Sequence, residues 1–407
     1  MINTIKKKRY VKIFFLIIFL IILPIKTYGN EAFMGDKDTN NLKRDEVLKK
    51  AYEEEMEEVN GVYNHITNMK SDYEILKDIE PKEFVKSILK DGKGDLNRDK
   101  IIKNLKRVIF KEVSSTFKLM GMLIIICIVC SMLKNLEDAF SNNSISSVAY
   151  FACLSTMIII IAKSFYIGID VVKSSIESIS GFMYSIIPVL MTLLAGMGGV
   201  TQAAFLDPII IFILNMGITI ISNIIIPLII MSFVLNFVNN ISEEYKVSNL
   251  SSLIKNSVLW IQGIVMTVFV ALLTIRSIMA KTMDEVTIKT AKFTVDTVIP
   301  VVGKSLSDAI STVAGYSLLI KNAIGTLGLI ILVLIIITPI IKVFIMAMLY
   351  KLTGALIQPI SDKKVVNCIT SAGDSLILIM SSLICVSVMC FIMIAIVTAT
   401  GSSIISV

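Results

Sequence analysis

The chain carries few side chains capable of chemistry, and their spacing argues against most reactions. Cys127 and Cys130 stand in C-x-x-C spacing, that of a redox pair. Both lie in the middle of an apolar run of membrane-crossing length, where such a pair lacks water and partners, so packing is the reading they support. Asp95-x-Asn97-x-Asp99 imitates the start of a calcium loop. Its sixth position is Lys100 where the sharp turn needs glycine, and its twelfth is Lys106 where a bidentate glutamate is required, so calcium binding is rejected. His65 is the single histidine and has no second histidine or cysteine in its segment, which leaves packing or solvation as its role. Gly303-Lys304-Ser305 reads like the end of a phosphate-binding loop, but Val298 stands where the first glycine belongs, so the backbone cradle is missing. With no H-E-x-x-H and no nucleophile elbow either, neither an enzyme nor a cofactor is expected. Energy for any transport has to come from an ion gradient or from a separate ATPase.

The elements that carry these residues explain their poverty. Of 407 residues, 55% are hydrophobic and 17% charged, the composition of a membrane protein. Charge concentrates early: Glu31 to Glu112 holds 17 basic and 19 acidic residues, too balanced for a nucleic-acid patch despite the formal net charge of +7. All six cysteines fall in or beside apolar runs, which excludes a disulfide framework. The expected fold is all-α: a polytopic helical membrane protein of seven or eight spans behind a signal peptide, with an exported N-terminal helical segment.

Five segments follow from that reading. Residues 1–29 form a signal peptide, with Lys6 to Lys12 preceding a short apolar stretch and Gly29 at the cleavage site. Residues 30–116 form an exported charged segment. Within it Leu48, Tyr52, Met56, Val59, Tyr63, Ile66, Met69, Tyr73 and Leu76 recur at helical spacing, the mark of a helical arm or coiled coil. Residues 117–275 hold transmembrane helices, 276–322 an amphipathic stretch, and 323–407 the C-terminal spans. The apolar runs are Phe117–Leu133, Val148–Ile169, Gly181–Ala195, Ala203–Val238, Val258–Ile275, Ala323–Met348 and Leu376–Val397. Ala203–Val238 is too long for one span of about 20 residues. It is either two short helices turning near Asn223, giving eight spans, or one broken helix, giving seven; eight is the expectation. That choice places Arg276 to Lys321, with six basic and four acidic residues, outside the cytoplasm, against the positive-inside tendency.

Ionisable groups in or beside these runs, Lys163, Asp207, Lys342 and Asp374, are costly in hydrocarbon unless paired, snorkelled or hydrated. Asp207 is the sharpest, being too short to snorkel and followed by Pro208. Pro188, Gly198, Gly199 and Pro339 interrupt runs, a pattern shared by broken transporter helices and by close helix packing.

The least generic stretch runs from Lys289 to Asp374. It reads K-T-A-K-F (Lys289–Phe293), I-P-V-V-G (Ile299–Gly303), S-L-S-D-A (Ser305–Ala309), K-N-A-I-G (Lys321–Gly325), P-I-I-K (Pro339–Lys342), Q-P-I (Gln358–Ile360) and Gly373-Asp374. Together with Ile187-Pro188-Val189-Leu190 and Gly198-Gly199 upstream, this order resembles stage III sporulation protein AE of endospore-forming bacteria over most of the chain. The resemblance implies a polytopic subunit of the outer forespore membrane, part of a secretion-like channel complex joining mother cell and engulfed forespore. Its implied partners are the other subunits of the same sporulation operon, including a secretion-type ATPase and ring-forming proteins, a forespore-side partner protein, and the lipid bilayer; no nucleic acid is implied. The family brings no catalytic residues. Pro188, Gly198, Gly199, Asp207, Lys292, Asp296, Pro300, Gly303, Asp308, Lys321, Gly325, Pro339, Lys342, Pro359 and Asp374 are therefore candidates for gating or assembly. The alternative function is an ion-coupled secondary transporter centred on Asp207.

Lys292 and Asp296 are four apart on one helix face, Ile299-Pro300 ends their helix, and Gly303 permits a turn before a second amphipathic helix from Ser305. Such a pair suits either the wall of a polar path or a surface hairpin that docks a partner.

Overall fold

A computed structural model describes residues 59–91, 94, 98–139, 144–197, 200–241, 247–298 and 303–400. Of these, 91, 98, 137–139, 144–147, 200–208, 210, 240–241, 276–298 and 303–314 are described by backbone alone. The expected signal peptide and the start of the arm lie outside the described residues, as do Gly198, Gly199 and Pro300.

Among the described residues the protein is helical, without a strand. Helix α1 (59–69), a short 3-10 turn (Glu74–Leu76) and α2 (Pro81–Asp91) form the arm. The bundle consists of α3 (Arg98–Ala139), α4 (Ser144–Gly196), α5 (Val200–Ile220), a π turn (Ile221–Ile225), α6 (Ile226–Ile241), α7 (Ser248–Val298), α8 (Gly303–Ile357) and α9 (Lys363–Ala399). Among the described residues six stretches are long and apolar enough to cross a membrane: Asp99–Leu136, Val148–Gly196, Ile211–Asn239, Ser248–Ile275, Gly315–Ile357 and Lys363–Ala399.

Six differs from the seven or eight expected, and two merged runs account for it. Val148–Ile169 and Gly181–Ala195 belong to the single unbroken helix α4. The polar residues between them mark one face of a helix that continues, because Ile169, Val172, Ile176, Ile179 and Met183 stay buried at spacings of three and four. The long run Ala203–Val238 does not turn back at Asn223. Its helix widens there into the π turn, with the backbone N–H of Ile226 reaching the Ile221 carbonyl. Pro227 supplies the cause, since it has no N–H to give Asn223 and its ring crowds that carbonyl.

Helix α9 is the hub. It packs against α8 most extensively and also against α4, α5, α6 and α7, and it is buried along its length from Val365 to Val397. Contacts between side chains set the register. Tyr150, Gly168 and Ile186 of α4 lie level with Asp362, Leu376 and Ile394 of α9, so those helices run parallel. Glu112 of α3 is 3.8 Å from Lys342 of α8, and Ser131 of α3 hydrogen-bonds the Ile360 carbonyl, so these run parallel too.

Those registers reveal a stagger. The apolar run of α3, Phe117–Leu133, begins where that of α8, Ala323–Met348, ends. The first run of α4, Val148–Ile169, stops where that of α9, Leu376–Val397, starts. At about 1.5 Å per helical residue, the apolar bands of α3 and α4 are displaced by roughly 28 Å along the bundle. The arm occupies the space this leaves, with Ile75, Leu76, Ile79 and Phe84 buried. It rests on α8 and α3 and is tied to α3 by Asn104 donating to Asp78 at 2.7 Å and by Lys111 at 4.0 Å from Glu74.

Candidate functional site

The motifs K-N-A-I-G, P-I-I-K, Q-P-I and Gly373-Asp374 lie together on the α8–α9 hairpin. At its far end Lys321, fully buried, extends along α9 and donates to the carbonyls of Thr398, at 3.2 Å, and Thr400. Those carbonyls belong to the last turn of α9, whose partial negative charge suits an ammonium group. One turn on, Gly325 faces the Thr398 side chain so closely that a Cβ would overlap it. Gly328 meets Ile186 of α4 and Ile394 of α9, which brings three helices to one point. Small residues here allow backbone approach, as helix contacts in lipid require.

Midway, Pro339 is buried inside α8 without ending it. Lys342 lies 3.8 Å from Glu112, the lysine side chain one-third exposed and the glutamate less; this charge in an apolar run is paired. On the opposite side of α9, Gln262 of α7 donates to Ser382 at 2.7 Å and accepts from Ser381 at 3.0 Å.

The near end is the Gln358–Asp362 turn. Backbone N–H groups of Ile360 and Ser361 bond to the Ile357 carbonyl at 2.9 and 2.8 Å, satisfying the helix end. Pro359 is exposed at its apex. Asp362, the N-cap of α9, makes no side-chain cap; its carboxylate instead accepts from the Tyr150 hydroxyl at 3.1 Å, and Lys134 lies over the Tyr150 ring. With Ser131 holding the Ile360 carbonyl, α3 and α4 clasp the turn from two sides. Above it Lys351 and Asp374 pair at 2.5 Å, Gly373 packs on the Ala347 carbonyl, and Gly354 on Thr370.

Other candidates stand apart from the hairpin or are described by backbone alone. Pro188 is exposed on α4. Asp207 lies in the first turns of α5, Lys292 and Asp296 near the end of α7, and Gly303 and Asp308 at the start of α8. Helix α7 is described to Val298 and α8 from Gly303; the expected helix end at Ile299-Pro300 lies outside the described residues. Cys130 and Cys153 place their sulfurs 2.8 Å apart across α3 and α4, and Cys127 meets the Met157 sulfur at 3.7 Å, so the C-x-x-C pair points at partners on another helix. Sequence reasoning missed Ser131, Tyr150, Asp362 and Gln262, whose partners lie more than a hundred residues away. A polar residue at a helix-interface position was the signal available for them. Outside the membrane spans, burial against Phe182 and Gly181 lowers the pKa of His65.

The site can join helices, cap a helix end and hold a turn; among the described residues no cluster of ligands suits a metal ion. A family profile described as stage III sporulation protein AE matches residues 79–401. A protein of Bacillus subtilis (strain 168) described as stage III sporulation protein AE is 35% identical over 312 residues, 77% of this chain and 78% of that protein. No solved structure matches.

Proposed function

The chain belongs to the stage III sporulation protein AE family, and from that premise we propose that this integral membrane protein is a subunit of a channel complex linking mother cell and forespore. In this reading it sits in the outer forespore membrane with its arm exported. It works beside a secretion-type ATPase, ring-forming proteins of the same operon and a forespore-side partner. The observation that carries the reading is the placement of α9. A self-sufficient transporter keeps its substrate site among broken helices near the bilayer midplane, whereas here the centre of the bundle is filled by a continuous helix whose buried face runs from Val365 to Val397. Such a bundle supports a subunit that contributes a wall or a platform, with transport occurring between chains.

An exported arm puts the turn end of the bundle, with Lys134, Lys363 and Lys364, in the cytoplasm and leaves Arg276 to Lys321 on the exported side, so the positive-inside tendency does not choose between the two orientations. Deleting the gene in its host is expected to arrest spores after engulfment, with late forespore gene expression lost; normal spores would refute the proposal. Solute uptake by the purified chain in liposomes, abolished by Asp207→Asn, would instead establish the transporter alternative.

A further inference from the structure

The stagger leaves the two flanks of α9 unlike at one depth. Gln262 of α7, Ser382 of α9 and Ser174 of α4 lie level, by the contact of Gln262 with Ser382 and of Gly168 with Leu376. On the α5–α7 flank at that level the exposed side chains are mostly apolar, Trp260, Ile264, Val268, Ile224 and Met216, with Asn223 and Thr267 the polar exceptions and no charge among them. On the other flank Ile102, Ile109 and Phe110 of α3 are exposed as well, but among the charges of Lys103, Lys106, Arg107 and Lys111 and, on α4, Asp170, Lys173 and Glu177. Behind those charges lie the most apolar stretches of α8 and α9. Carboxylates as short as Asp170 and Glu177 do not reach an interface from mid-bilayer, and the arm beside them presents its own charged outer surface. A face of this kind is stable at membrane depth only against water or a polar partner.

We propose that the charged flank formed by the first half of α3 and the middle of α4 lines an aqueous passage at membrane depth. Five exposed basic groups on the two helices (Lys103, Lys106, Arg107, Lys111 and Lys173) stand against Asp170 and Glu177, with Glu74 and Asp78 of the arm alongside α3, and this excess of positive charge gives the passage a preference for small anionic solutes over cations. This rests on the reading of the chain as a channel subunit and names the wall that the passage uses.

The test is thiol accessibility in sporulating cells that carry the whole complex. Ser174→Cys on the charged flank and Ile264→Cys on the apolar flank are compared in a chain whose native cysteines are replaced, using an anionic and a cationic thiosulfonate. Ser174→Cys is expected to react at least ten-fold faster than Ile264→Cys, and faster with the anionic reagent than with the cationic one relative to a free thiol. Ser115→Cys, exposed on α3, repeats the measurement should Ser174→Cys fail to accumulate. Equal rates on both flanks would place this level outside the bilayer and overturn the proposal. So would an unreactive Ser174→Cys that labels in detergent. Spore yield of the unlabelled variants separates the two ideas: normal sporulation with no labelling keeps the channel reading and discards this wall.

Discussion

The two ends of the α8–α9 hairpin are fastened by different physics. At the far end a fully buried lysine satisfies the last carbonyls of α9, and a glycine sits against a threonine with no room for a Cβ. At the turn end the fastenings are polar and partly wet: Tyr150 to Asp362, Ser131 to a carbonyl, and a Lys351–Asp374 pair whose side chains are 27% and 51% exposed. Groups removed from water lose the full cost of their partner when it is taken away, whereas exposed pairs are screened. The far end is therefore the structural anchor, and the turn end is the part that tolerates change and exchange with a partner.

That asymmetry is open to attack from the strongest effect downward. Gly325→Leu forces side-chain volume into Thr398 and is expected to destabilise the hairpin by about 2–3 kcal/mol, read as loss of accumulated protein and earlier thermal aggregation in detergent. Lys321→Met strands two carbonyls and is expected to cost about 1–3 kcal/mol, read as increased protease cleavage near the end of α9. Tyr150→Phe removes one hydrogen bond to a carboxylate and is expected to cost about 1 kcal/mol, visible as a small drop in melting temperature. Asp374→Asn should change stability by less than about 1 kcal/mol, so any strong sporulation defect there would report a partner contact. If Asp374→Asn destabilised the chain as much as Lys321→Met, the contrast between the ends would fail.

A weaker handle concerns the arm. Burial lowers the His65 pKa below 6.5, so the folded arm binds fewer protons than the free one. Its docking on α4 is then fully present above the unfolded value and weakens as pH falls below it. Hydrogen-exchange protection across 59–69, taken relative to the intrinsic rate at each pH, should fall between pH 7 and pH 5.5 in the wild type and stay flat in His65→Gln.

Much of this was legible in the chain. The periodicity from Val59 to Met69 is the buried face of α1, but the single helix it predicts through Leu76 ends at Met69, whose carbonyl accepts from the N–H groups of Asp72 and Tyr73 before the 3-10 turn. The span count was not legible, because averaged hydropathy treats Lys173 and Glu177 as the end of a membrane segment while Val172, Ile176 and Ile179 carry the helix onward. Nor was the role of Lys321, whose partner carbonyls come from Thr398 and Thr400. Such pairings across the chain leave no local spacing to read. Pro227 is the intermediate case: the proline signalled a break, and only the continued packing of α5, α6 and α7 showed that the helix resumes in the same direction.

With the arm exported as proposed, the two ends of the bundle lie in different compartments and the turn end is cytoplasmic. Single cysteines at Ser305 and Lys363, treated in intact cells with a membrane-impermeant maleimide, test this directly. Labelling of Ser305→Cys in intact cells, with Lys363→Cys labelled only after permeabilisation, is the predicted result. The reverse pattern would contradict it, placing the α8–α9 turn outside the cytoplasm and the stretch between α7 and α8 within it.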